Sequence, residues 1–458
     1  MASLRTALDS QFWDQPISTT RTLEGCGRSI PGDPFPTNIS RASRALRIQQ
    51  LSLLRNGFPL GIIPVFSSSF HPSAAPIPEG SLSLQSILLR LTTSNWWLGL
   101  VGELRTKKLI HSITSDLSKI AGSNWLTVKN VSKHFLDTSH YSIGLTSQIS
   151  LPSSSSLLFI TEQNGENEVP RYKMKLYHQL PAHDITLEAA WPELFIDRNG
   201  GHWEVPESVS VDLCSIPSDS GFRYRLGIHK NGGCPSSSHT LSDDVPLALT
   251  NGTFAKGAVA WNKGKCLWRK KETSTAPFWR PSYDISLNEP HASISGVIGG
   301  YCAALLNATE TRHASAGTPG HSPFSADAFG SVRYTFQHGR FRHLFGDLTR
   351  IDARLDASSA SALGTRMFHL LKLSQARKED DASSPRLNLT FQQQVFGPIV
   401  FRVDSRYSLG PSERHRPRME DIVYGLSYSL RLLPSGKVLA WYSPKRMEGM
   451  VELRMFEF

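Results

Sequence analysis

The chain has 458 residues and a mass of 50.8 kDa, long enough for one large domain or two to three ordinary ones. Its 49 Lys+Arg against 39 Asp+Glu leave a formal charge of +10, and 28 prolines with a 39% hydrophobic share exclude a coiled coil or a bundle of membrane helices. No run approaches the roughly 18–20 apolar residues of a spanning helix; Gly57 to Phe66 and Gly296 to Leu306 are too short and broken by Pro or Gly.

The N-terminus shows no basic segment leading into an apolar one, so no secretory signal is expected. Residues 1–60 hold seven Arg and no Lys, but Asp9, Asp14, Glu24 and Asp33 are out of place in a transit peptide. Residues 1–80 read as a mostly irregular extension rich in Arg, Pro and Ser, ending in the spacer Ser67 to Pro78. Within it, Ser40 to Asn56 predicts a short helix on which Arg41, Arg44 and Arg47 share one face, within an arc of about 120°.

From Ser81 to Phe458 the dominant period is two, the mark of strands with two chemically different faces. The apolar rows include Tyr172/Met174/Leu176, Val209/Val211/Leu213, Phe222/Tyr224/Leu226/Ile228 and Tyr283/Ile285/Leu287. They continue with Val332/Tyr334/Phe336, Leu387/Leu389/Phe391, Ile399/Phe401/Val403 and the longest, Ile422 to Leu432. Turn residues separate them and no helix-sized segment is read between them, which predicts an all-β antiparallel meander. Strands of about nine to eleven residues fit a tilted membrane crossing. Aromatic residues near strand ends fit interfacial girdles. The C-terminal run Val451-Glu-Leu-Arg-Met-Phe-Glu-Phe458 looks like the last strand of an outer-membrane barrel. Periodicity leaves a soluble β protein open beside a membrane barrel.

In a barrel the rows opposite the apolar ones face the lumen. They carry Arg171, Lys173, Lys175, Arg223, Arg225, Arg333, Arg402, Arg431 and Arg454 against fewer acids (Asp212, Asp404, Glu452), so a basic lumen is expected. A guanidinium grips phosphate oxygens in a fork that an ammonium cannot reproduce. That makes Arg41, Arg44 and Arg47 candidates for an anionic headgroup, with a solvated helix face as the plain alternative. Arg105, Lys107, Lys108, Lys129, Lys133 and His134 form a second basic stretch beside Trp96, Trp97 and Trp125, an interfacial pairing that ordinary strands also show.

Nothing points to catalysis. Glu193, Asp197 and Glu204 are spaced as acid–base pairs can be, but a strand-corner role is preferred. Asp347, Arg350, Asp352, Arg354 and Asp356 read as paired charges in a barrel or on its rim. Phosphate-loop, zincin and nucleophile-elbow motifs are absent, as is metal-ligand spacing among the 16 His. The five Cys form no C-x-x-C, and a reducing compartment fits. No cofactor, metal, enzyme activity or nucleic-acid partner is expected.

Several stretches resemble a known family. They are Phe12-Trp-Asp-Gln-Pro16 with Thr22-Leu-Glu-Gly25; Trp191-Pro-Glu-Leu-Phe-Ile-Asp197 through Trp203-Glu-Val-Pro206 to Ser220-Gly221; and Asp347-Leu-Thr-Arg-Ile-Asp-Ala-Arg-Leu-Asp356. Gln392-Gln-Gln-Val-Phe-Gly-Pro398 and Tyr442-Ser-Pro-Lys445 through Met450-Val-Glu-Leu-Arg-Met-Phe456 complete the set, which spans nearly the whole chain. The chain is similar to the plant trigalactosyldiacylglycerol proteins, specifically their fourth-numbered member. The resemblance implies a chloroplast outer-envelope barrel, at contacts with the endoplasmic reticulum, that helps move lipid from there to the plastid for galactolipid synthesis. It also implies phosphatidic acid binding, a homodimer and an inner-envelope ATP-driven lipid transporter as partner. Where the family has a glycine-rich spacer, this chain has Ser67 to Gly80, rich in Ser and Pro. The combined expectation is a closed membrane barrel of about 12–16 strands over residues 81–458. The alternatives are a general solute pore and a soluble β-sandwich carbohydrate-binding protein.

Overall fold

The computed structural model describes residues 16–19, 21–30, 62–68, 80–93, 95–117, 132–151, 154–165, 169–197, 201–215, 221–237, 245–267, 290–305, 324–341, 346–361, 363–364, 384–409, 417–430, 436–445 and 448–455. The expected helix at 40–56 and the apolar row at Tyr283 to Leu287 lie outside them.

In chain order the first strands are β1 (Pro16–Ser18), β2 (Cys26–Ser29), β3 (Ile62–Ser68), β4 (Gly80–Thr92) and β5 (Trp96–Arg105). There follow β6 (Tyr141–Leu151), β7 (Ser155–Asn164), β8 (Arg171–Gln179), β9 (His183–Trp191), β10 (Glu193–Ile196), β11 (His202–Val205) and β12 (Glu207–Ser215). Next come β13 (Phe222–Gly232), β14 (Ser236–Ser237), β15 (Gly252–Cys266), β16 (His291–Leu305), β17 (Phe324–His338) and β18 (Thr349–Ala357). The last are β19 (Arg386–Phe396), β20 (Ile399–Ser408), β21 (Arg418–Ser429), β22 (Gly436–Ser443) and β23 (Glu448–Met455).

Eighteen of these strands form one antiparallel ring. It runs β3 to β9 in order, then β12, β13 and β15 to β23; β9 pairs with β12 around the β10–β11 excursion, and β23 returns to β3. The remaining five strands form a separate sheet in the order β1-β2-β10-β11-β14.

Three expectations are corrected here. Among the described residues the ring has 18 strands rather than 12–16, because a period of two marks strand faces without counting strands. Its first strand starts at Ile62, inside the segment read as an irregular extension, and β1 and β2 also lie in that segment. A 12-residue helix, α1 (Thr106–Leu117), interrupts the strands between β5 and β6. Four of its 12 residues are Thr or Ser, which weakens its helix signal; Leu109 is buried and Ile113, four on, is half-buried on the same face.

Strand parity decides the architecture. Phe222, Leu226 and Ile228 on β13, Val332, Tyr334 and Phe336 on β17, and Tyr424, Leu426 and Tyr428 on β21 are all exposed. Their sequence neighbours His229, Asn231, Thr335, Gln337, Val423, Ser427 and Ser429 are buried. Apart from Val423 those buried neighbours are polar, so along these strands the ring is apolar outside and polar within. Tight turns join several strands. Gly397, at φ 49°, lies in the left-handed region in the two-residue link from Phe396 to Ile399, where a side chain would strain the backbone.

Candidate functional site

The ring interior contains two structures, a charged wall and the separate five-stranded sheet. The wall spans β17 to β21. Asp352 receives Arg333 at 3.2 Å and Arg350 at 3.1 Å, and the Thr335 hydroxyl also donates to it. Arg354 pairs with Asp356 at 2.9 Å, and Ser331 and Asn388 donate to the same carboxylate. Arg402 pairs with Asp404 at 3.0 Å, to which Thr390 donates. Arg406 donates to Asn388, and Arg386 pairs with Glu420 at 2.9 Å. Antiparallel register causes this: Asp352 is opposite both Thr335 and Thr390, so residues far apart in sequence meet across the ladder.

The inner sheet occupies the opposite sector. Residues 16–30 fold back as a tongue, β1 on β2, and β2 runs parallel to β10 through Phe195↔Arg28 and Ile196↔Ser29. Ile30, Phe195, Trp203, Val205 and Leu249 form its own small apolar core. The tongue reaches the inward-facing residues Gly144, Glu162, Lys173, Glu188 and Ser210 of β6 to β9 and β12, so it lies inside the ring. Arg28 donates to Ser210 at 3.2 Å and faces Glu188 at 3.9 Å. The amide of Leu23 donates to Glu162 at 3.1 Å, as does that of Glu24. Lys173 stands at the centre, 2.9 Å from Glu188, 3.4 Å from Glu193 and 3.6 Å from Glu24.

A small cavity opens beside Lys173, lined by Glu24, Glu162, Arg171 and Glu193 among others. Glu24 sits on the turn of the tongue, outside the ring strands. Burial pushes its carboxyl up to about 7; the Lys173 ammonium opposes that rise, and Glu162, Glu193 and Glu188 add to it. The folded state therefore holds the Glu24 proton more tightly than an open chain, whose ordinary value is 4.5. The stability this contributes is complete below about pH 4.5 and is lost as pH rises through about 7, on the order of 3 kcal/mol in all. Thermal unfolding in micelles, followed by Trp fluorescence between pH 5 and 8, should show that fall. Glu24→Gln should flatten it.

The predicted residues divide as follows. Arg41, Arg44, Arg47, Lys129 and Arg431 lie outside the described residues. Arg105 ends β5 half-buried, its guanidinium 2.7 Å from Asn164 Oδ1. Lys107 is exposed and Lys108 half-buried in the first turn of α1, and Lys133 is exposed in the helical residues 132–136. Arg105, Lys108 and His134 all lie near the buried ring of His140. Among the lumen arginines, Arg223 and Arg225 share the inward parity of β13, and Arg225 pairs with Asp212 at 3.3 Å. With Arg333 and Arg402 also paired, the lumen is charge-paired along these strands more than simply basic.

Glu193, Asp197 and Glu204 are structural. Glu193 meets Lys173, Glu204 meets Arg171, and Asp197 accepts from the Gly201 amide at 2.7 Å and faces the Trp203 indole. Among the described residues no group of three or more His, Cys, Asp or Glu is placed to hold a metal ion. The tongue and its acceptor Glu162 were missed by the reading of the sequence; the one signal was Thr22-Leu-Glu-Gly25, noted there as a family motif.

A curated protein of Arabidopsis thaliana, Protein TRIGALACTOSYLDIACYLGLYCEROL 4, chloroplastic, is 33% identical over 481 aligned residues, covering 100% of both chains. The chain belongs to the TRIGALACTOSYLDIACYLGLYCEROL 4 family. No family model matches it. Among solved structures, the crystal structure of Pseudomonas aeruginosa OccK9 (OpdG) is similar over 86% of this chain and 95% of that one. Its TM-score is 0.37 at 9% identity, too distant to bear on function. In this family member the polar residues converge inside the ring and the apolar ones outside it.

Proposed function

We propose that the chain is a membrane-embedded β-barrel of the chloroplast outer envelope. It binds phosphatidic acid and passes lipid arriving from the endoplasmic reticulum onward for galactolipid synthesis, without chemistry. The observation that carries this reading is the inverted burial. Ile298 is 74% exposed at the centre of β16 while Gln337, Asp352 and Thr390 are buried on the inner face. That distribution is stable when hydrocarbon surrounds the ring and the backbone of each strand pairs with its neighbours. The chloroplastic label of the Arabidopsis relative supports the compartment.

A barrel without a nucleotide site takes direction and energy from partners, here an inner-envelope ATP-driven transporter; self-association as a homodimer belongs to the same proposal. The headgroup candidates are Arg41, Arg44 and Arg47, then Arg105, Lys107, Lys108, Lys129 and Lys133. A phosphate monoester carries between about −1 and −2 charges, and guanidinium forks hold it in two-point contacts.

Liposome flotation tests the reading with vesicles of phosphatidylcholine alone or with phosphatidic acid or phosphatidylserine added. Selective flotation with phosphatidic acid is expected, weakened about tenfold in Arg41→Ala/Arg44→Ala/Arg47→Ala. Equal flotation with both anionic lipids would reduce the binding to surface charge. A solute pore would then be favoured by the width of an 18-stranded ring, a size that in porins leaves an aqueous channel.

A further inference from the structure

The five-stranded sheet enters the ring from one end. β9 leaves the ring at Trp191 and β12 rejoins it at Glu207, with β10 and β11 between them. β13 stops at Gly232, β14 follows, and β15 starts at Gly252, in register with Asn231. The ladders Tyr172↔Trp191, Ser208↔Ala190 and Glu207↔Gly232 place these exits at the same end. The tongue sits there too. Gly144, Glu162, Lys173, Glu188 and Ser210, its partners on the wall, are each among the last four residues of their strands at that end.

The tongue is held differently from the rest of its sheet. Pro192 is the one residue between β9 and β10, and Pro206 the one between β11 and β12, so the β10–β11 hairpin is tied to the ring on both sides. Residues 31–61 separate the tongue from β3, chain enough for it to move while every ring strand stays in place. The tongue is also complete in itself. β1 pairs with β2 from Pro16↔Arg28 to Ser18↔Cys26, and the Gly25 amide donates to the Thr22 carbonyl at 3.0 Å. The Thr22 hydroxyl accepts the Cys26 amide and donates to the Cys26 carbonyl, both at 3.0 Å. Much of its grip on the wall is polar: Glu24 with Lys173, Arg28 with Glu188, and two amides given to Glu162. Water replaces contacts of that kind when the tongue withdraws. The vacated seat keeps its own pairs, because Lys173 still faces Glu188 and Glu193, and Lys175 still faces Glu188. An 18-stranded ring is wide enough for an aqueous channel, so what fills its lumen decides what passes.

We propose that the tongue is a displaceable plug. Seated, it closes the end of the ring at which the inner sheet enters. Withdrawn as a unit, it opens a water-lined passage along the polar inner face of β6 to β9. The inference rests on the membrane-barrel reading above, and hydrated ions report the passage whether or not lipid also takes it.

The full chain in planar bilayers bathed in potassium chloride tests the plug. A Cβ built on Gly144 would stand 3.5 Å from that of Leu23, within the spacing a disulfide spans. Leu23→Cys/Gly144→Cys therefore staples the tongue to β6. Oxidation should lower conductance at least tenfold and dithiothreitol should restore it, with each single-cysteine variant unresponsive. The unaltered chain gives a second reading. Cys26 is buried in the seated tongue, so a bulky maleimide reaches it only when the tongue is out, and then keeps it out. Prolonged labelling should raise the mean conductance at least fivefold, and Cys26→Ser should abolish the rise while the exposed Cys234 still reacts. Equal conductance with the staple formed and reduced would overturn the plug, as would labelling of Cys26 without a rise. So would a pair that never cross-links, because the tongue would then not be seated on β6, and so would inserted protein that conducts in none of these states. Protein that carbonate extracts from vesicles was never inserted; that result removes the barrel reading itself and is separable from the others.

Discussion

Ile298→Arg should destabilise the barrel by about 2–4 kcal/mol in phospholipid bilayers, the cost of a cation at the midplane of a lipid-facing strand. Ile298 is the eighth of the 15 residues of β16, faces outward and is 74% exposed. Its cross-strand partner Val259 is exposed on the same face, so the charge has no polar neighbour there to share. In a soluble protein the same substitution at so exposed a position would change stability by about 0.5 kcal/mol or less. The two readings of the fold thus differ severalfold for one residue. Urea titration of the refolded chain in vesicles, followed by Trp fluorescence, measures it directly, with Val332→Arg as a second site on β17. A neutral result at both positions would sink the membrane barrel and return the soluble β protein to first place.

Lys173→Met should cost about 3–5 kcal/mol, because removing one partner of a buried ion cluster leaves charges without compensation. Lys173 is the ammonium shared by Glu24, Glu188 and Glu193, of which the first lies on the tongue, the second on β9 and the third on β10. Without it Glu24 and Glu193 lose their paired cation in a nearly dry site, while Glu188 keeps Lys175 and Arg28, and the tongue is the element free to leave. Maleimide labelling of Cys26, buried on β2, should therefore rise by an order of magnitude or more in the variant. Adding Glu24→Gln and Glu188→Gln should recover part of the lost stability, since that removes two of the three charges Lys173 had balanced. Slow labelling of Cys26 in Lys173→Met would mean that the apolar core around Phe195 holds the tongue by itself.

The strand faces were legible because burial on one side alone leaves a period of two. The row Phe222/Tyr224/Leu226/Ile228 predicted β13 within a few residues, and Ile422 to Leu432 predicted β21. The Asp352 and Asp356 pairs were legible as charge pairing, and the preferred corner role of Glu193, Asp197 and Glu204 agrees with their contacts. The tongue was not legible, because its residues have no wet face. All four residues of β2 are buried between sheet and wall, so Cys26-Gly-Arg-Ser29 shows no alternation to read. α1 was hidden by a Ser- and Thr-rich sequence with no strong helix signal.

What the sequence determined alone is therefore local: which residues alternate, which face is apolar, and which family motifs the chain carries. Tertiary structure decided the rest. The number of strands depends on how the sheet closes, and a repeat of two residues carries no count. Which arginine meets which aspartate depends on register, which sets Asp352 beside Arg333, 19 positions earlier in the chain. The seat of the tongue depends on residues 16–30 meeting β7, β8 and β9, more than 100 positions later, through contacts such as Leu23 with Glu162. Pairing across such separations is set by geometry in three dimensions, and no single stretch of sequence contains it.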